Sequence, residues 1–173
     1  MTTHGSEDAR PSEGSDPSGA VSVTIDASYR VSDVRVVDRP EARTPDGLAQ
    51  AVAGAYEAAM AARLERLRAL RPPRPAGERP VPVATLLTVR RPTAEDLTRH
   101  RIRKESPTLP QHGDPGEVTG VSRNDCVHVT LPPAQPRGTV TADPGWLANA
   151  QTANIASALV EAFTDAYRQR DHA

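Results

Sequence analysis

Apolar residues recur at helical spacing in two separate stretches of the chain. In residues 48–63, LAQAVAGAYEAAMAAR, they are Leu48, Val52, Ala55, Tyr56 and Ala59; in residues 155–170, IASALVEAFTDAYRQR, they are Ile155, Leu159, Ala162, Phe163 and Ala166. Each stretch predicts an amphipathic helix with one buried face. In register, the two share Ala49/Ala156, Ala51/Ala158, Ala55/Ala162, Ala59/Ala166 and Arg63/Arg170. Small side chains on both faces allow close packing against a partner layer. Upstream of each helix the pattern changes to strict alternation, in VSVTI (residues 21–25) and VHVTL (residues 127–131), as in half-buried strands. A second strand follows in each half, in YRVSDVRVV from Tyr29 and RGTVTA from Arg137, after the turn sequences DAS and PPAQP. Strand, turn, strand and helix thus occur twice at nearly the same spacing, which reads as an internal duplication.

The remaining segments divide the chain. Residues 1–18 are polar and acidic, rich in Ser, Gly and Pro, and read as a disordered tail. Residues 19–71 hold the first repeat. Residues 72–91 form a proline-rich linker, with a strand predicted at VATLLTVRR from Val83; its P-x-x-P spacing suits a partner's groove or a plain spacer. Residues 92–173 hold the second repeat. It opens with a charged helix in PTAEDLTRHRIRKE, acidic in its first turn and basic at its end as the helix dipole favours. EVTGVS, residues 117–122, is read as an extra strand leading into that repeat.

With 37% hydrophobic and 3% aromatic residues, the core must be modest, which favours thin layers over one thick globule. The single cysteine, Cys126, allows no intramolecular disulfide. The start of the chain lacks the apolar run of a signal peptide, and no stretch approaches the ~20 apolar residues of a membrane-spanning helix. The expected location is cytoplasmic.

Charge is uneven. The formal net charge is −1, yet residues 63–104 hold twelve basic residues against four acids, a local excess of eight. Such a block can neutralise phosphates with little sequence preference, and nothing resembles a recognition helix aimed at base edges. Arg63, Arg66, Arg68, Arg71, Arg99, Arg101, Arg103 and Lys104 are the candidate DNA-binding residues. The alternative is a solvated arginine face.

Catalytic and metal-binding patterns are missing. His128 alternates with Val127 and Val129 and is read as a surface strand residue, and no histidine has a metal-ligand spacing. Cys126 has no base nearby in sequence, and Asp26 and Asp33 are read as turn residues. No phosphate-cradling glycine loop, G-x-S-x-G or H-E-x-x-H occurs. Trp146 in DPGWLANA is read as an anchor at the start of the second long helix. The expectation is no enzyme, no cofactor and no metal.

The strand-turn-strand-helix order of residues 19–70 and 116–170, with its L-a-x-x-v-x-x-A-x-x-x-A helix pattern, resembles the YbaB/EbfC family of nucleoid-associated proteins. That resemblance implies an α/β (α+β) fold in which antiparallel sheets are covered by long helices, and weak, sequence-tolerant binding of double-stranded DNA. Two copies in one chain imply an intramolecular pseudo-dimer, with a homodimer as the other assembly, and a nucleoid-associated location. The first repeat departs from the family pattern in having no leading helix. A protein-protein adaptor or scaffold, of the kind that accompanies specialised secretion systems, is the rival expectation.

Overall fold

The alternating run Val21–Ile25 forms the central strand of a three-stranded antiparallel sheet, with Val21, Val23 and Ile25 fully buried on one face. A computed structural model of the chain describes residues 10–70, 116–133 and 135–172. In this sheet β1 (Ser12–Ser15) pairs with β2 (Val21–Ile25), which pairs with β3 (Val31–Val36). A 3-10 turn at Pro40–Arg43 leads into α1 (Pro45–Leu70). The second half repeats the order with β4 (Val118–Val121), β5 (Val127–Leu131) and β6 (Thr139–Ala142), then a short α2 (Pro144–Asn149) and the long α3 (Thr152–His172). Two three-stranded antiparallel sheets with helices against them make an α+β fold.

The helices extend beyond their apolar stripes at both ends. Trp146 lies partly buried in α2, whose Asp143 caps the Trp146 amide, and the chain breaks at Ala150 before α3 begins. The second half therefore enters its long helix through a separate turn of helix.

One expectation is corrected. Residues 12–18, read as part of a disordered tail, contain strand β1 and the turn that joins it to β2. Ser12 and Asp16 are buried. The register explains why no apolar pattern announced the strand. Gly14 pairs with Val23 beneath α1, where an added β-carbon would collide with the backbone of Ala55, Ala58 and Ala59. Gly120 in β4 occupies the same position under α3, against the backbone of Ala162 and Ala166. Closeness of strand to helix, rather than side-chain burial, fixes these two edge strands.

The turns match as well. The Asp16 side chain accepts hydrogen bonds from the Val21 and Ser18 amides, and Gly19 adopts φ +68°. Ser122 Oγ takes the Val127 amide at the equivalent turn, and Asp125 stands at φ 57° where the first half has glycine. In the second hairpin of the first sheet, Asp26 Oδ1 accepts from the Ser28 and Arg30 amides, the turn role expected of it.

The halves interlock into one compact unit that holds all the described residues. α1 packs on β1 and β2 of its own sheet and on β6 of the other, and α3 packs on β4 and β5 and on β3. Val31, Val34, Ala55 and Ala59 join Val140, Leu159, Ala162 and Phe163 in a common buried cluster. The predicted strand from Val83 and the predicted charged helix from Pro92 lie outside the described residues.

Candidate nucleic-acid interface

Three of the eight predicted DNA-binding residues lie among the described residues. Arg71, Arg99, Arg101, Arg103 and Lys104 lie outside them. The other three lie on α1. Arg63 is 5% exposed, donates to the Ala27 carbonyl at 3.1 Å and covers the Tyr29 ring at 4.9 Å. Arg66 donates to the carbonyls of Arg10 and Pro11 and to Ser12 Oγ, fastening the approach to β1 against the helix. Arg68 is exposed and 3.6 Å from Glu65. Arg63 and Arg66 are thus committed to the fold, because a guanidinium delivers several donors in a rigid fork and suits the tying of loop carbonyls.

The repeat shows that this commitment is systematic. Arg170, the counterpart of Arg63, lies over the Tyr167 ring at 5.3 Å and donates to the Gln135 carbonyl. In both halves the same helix position holds the loop joining the second and third strands.

Those loops meet the other half at a polar seam. Tyr167 Oη accepts from the Val31 amide at 3.0 Å and donates to the Pro136 carbonyl at 2.8 Å, so one hydroxyl joins β3 to the opposite hairpin. Arg30 binds Asp171 with two parallel hydrogen bonds of 2.7 and 2.8 Å and lies 5.4 Å from the Tyr167 ring centre. Arg137 pairs with Glu57 across the halves. Tyr56 donates to the Tyr29 carbonyl. Burial pushes the Tyr167 hydroxyl up to about 12, despite the lowering effect of the Val31 amide. The Arg30 hydrogen bond holds the Asp171 carboxyl below its ordinary value.

Twelve arginines stand against fifteen Asp and Glu among the described residues, a formal deficit of three, and ten of the arginines have a partner within the fold. Residues 71–104 carry nine basic residues against three acids. The net positive charge of the chain therefore lies in the sequence of residues 71–104.

His128 is half-exposed on β5, 3.6 Å from Asp125, and Cys126 Sγ donates to the Asn124 carbonyl of its own turn. Among the described residues no helix is long and apolar enough to cross a membrane, and no cluster of three metal-ligating side chains occurs. No family model, curated protein or solved structure matches the chain.

Proposed function

We propose that the chain is a non-enzymatic, nucleoid-associated-like protein that binds double-stranded DNA weakly and with little sequence preference, using the arginine-rich connection at residues 71–104. The observation that carries this reading is the segregation of charge. The interlocked unit is formally acidic and commits Arg63 and Arg66 to its own loops, while the basic excess lies in the connection between its halves. Arginine and lysine in that connection suit phosphate contacts, whose strength depends on salt rather than base identity. In this reading the two repeats act as a pseudo-dimer, standing in for the two subunits that a single copy would need.

The test is fluorescence anisotropy of a labelled random-sequence duplex at several salt concentrations. Replacing Arg99, Arg101, Arg103 and Lys104 with Ala should weaken binding and reduce the salt slope by up to about 3.6, at about 0.9 per lost phosphate contact. Arg66→Ala should leave that slope unchanged. The second reading, a protein-protein adaptor, is favoured by the formal acidity of the folded unit. Absence of duplex binding even at low salt would decide for it.

A further inference from the structure

We infer that the bend between α2 and α3 is imposed by Arg43, a residue of the other half, and that opening this contact lets residues 144–172 join into one helix. Arg43 ends the 3-10 turn of the first half. Its Nη1 donates to the carbonyls of Leu147 at 3.3 Å and Ala150 at 2.5 Å, and its Nε and Nη2 bind Asp38 Oδ1 at 2.8 and 2.6 Å. Asp38 thus aims the guanidinium, which takes two carbonyls at the place where α2 stops. In an unbroken helix the Leu147 carbonyl would accept from the Gln151 amide and the Ala150 carbonyl from the Asn154 amide. In the structure Asn154 and Ile155 both donate to the Gln151 carbonyl instead, and Ala150 is extended at φ −69°, ψ 144°.

The local sequence supplies no comparable reason to stop. Residues 146–172 contain neither proline nor glycine. Ala150, which ends α2, is a strong helix former, and Gln151, just ahead of α3, is not among the residues whose side chains cap a helix start. The duplication supplies the comparison. In the register that pairs Leu48 with Ile155, Arg43 and Thr44 fall opposite Ala150 and Gln151, and Pro45 falls opposite Thr152. The first half marks its break locally: Thr44 is extended, its Oγ1 accepts from the Gly47 amide, and Pro45 opens α1, as suits a first helical position. The second half lacks the Thr-Pro pair, and the contact from Arg43 stands in its place. Because Arg43 lies against its own counterpart, Ala150, the two breaks meet where the halves are related.

Opposing groups set the balance. Joining the helices adds main-chain hydrogen bonds from the amides of residues 151–153 to the carbonyls of residues 147–149. It also carries α2 away from the 3-10 turn it packs against, exposing Leu147, which is fully buried, and Trp146, which is partly buried. Arg43 adds its two bonds to the bent side, and a hydrogen bond from a charged donor is stronger than a neutral one. The first half thereby sets the shape of the second half's entry helix, and Trp146, the only tryptophan, reports it.

The test compares the full chain with Arg43→Ala by Cα chemical shifts, amide exchange and Trp146 emission. In the native chain Ala150 should give an extended shift. In Arg43→Ala that shift should become helical and the emission should move to the red. Exchange at Gln151 and Thr152 should slow about two- to tenfold, the factor that one main-chain hydrogen bond carries. Adding Gln151→Thr and Thr152→Pro transplants the local signal of the first half and should restore the extended shift without the arginine. Asp38→Ala, at a side chain 75% exposed, should move the Ala150 shift in the same direction by less. An extended shift that persists in folded Arg43→Ala or, should that variant not fold, a shift unmoved in Asp38→Ala would overturn the proposal and leave the burial of Leu147 as what holds the bend.

Discussion

Replacing Tyr167 with Phe removes one oxygen atom and tests whether the two halves stabilise each other. The ring remains, with its buried surface and its contact with Phe163. The Val31 amide loses its acceptor in a buried position, and the Pro136 carbonyl loses a donor at a site water can reach. A buried group left unpaired costs about 1–3 kcal/mol, whereas a solvated carbonyl costs little, so the expected loss is about 1.5–3 kcal/mol. Urea unfolding followed by circular dichroism measures it, with a lowered midpoint and an unchanged slope. The hydroxyl also predicts an alkaline signature. Its folded value of about 12 lies above the ordinary 10, so the unfolded chain releases this proton first. The associated stability is complete below pH 10 and is lost as pH rises toward 12, by nearly 3 kcal/mol at about 1.36 kcal/mol per unit. In the Phe variant that part of the slope should vanish. A loss below about 0.5 kcal/mol, or an alkaline slope equal in both proteins, would refute the seam as a source of stability.

Gly120→Ala and Gly14→Ala each force a β-carbon into helix backbone that cannot yield as a flexible side chain would. Each should cost about 1–3 kcal/mol or more by thermal unfolding, and similar losses at the two sites would show that the repeats are energetically equivalent. Arg66→Ala should accelerate amide exchange in β1 while leaving β4 unchanged, because only β1 is fastened through the carbonyls of Arg10 and Pro11. Burial alone pushes the Asp16 carboxyl up, but hydrogen bonds from Ser18 and the Val21 and Ala20 amides hold it below 3.8. Its contribution is therefore present above pH 3.8 and lost as pH falls through its lower folded value; Asp16→Asn should flatten that acid limb of a stability-pH curve.

The long helices and the central strands were legible because both bury a periodic face. Leu48, Val52 and Ala55 recur at helical spacing and Val127, Val129 and Leu131 at strand spacing, and all six are buried. β1 was not legible by that route, since Ser-Glu-Gly-Ser holds no apolar residue and its place is set by the closeness of Gly14 to α1. A signal was nevertheless available. Gly14 and Asp16 stand before VSVTI at the positions that Gly120 and Ser122 hold before VHVTL, so extending the register upstream finds the strand. The break between α2 and α3, like the one between the 3-10 turn and α1, had no periodic mark of its own.

Charge was the least legible property, because a count of arginines does not tell a donor aimed at solvent from one aimed at a carbonyl. Arg63 and Arg66 entered the basic block on equal terms with Arg68, yet the fold turns the first two inward. The repeat itself contained the correction for Arg63. A residue kept at the same place in both copies, Arg63 and Arg170, is expected to serve what the copies have in common, which is the fold. Here that service is the same in each half: a guanidinium over a tyrosine ring and on a loop carbonyl. Residues that differ between the copies are the better guide to what one half does that the other does not. One such pair is Ala53 and Val160, which line a groove of about 440 Å³ beside β6 and one of about 300 Å³ beside β3. Duplication thus accounts for the matched packing of the two halves, down to Gly14 and Gly120 in the same position under their helices.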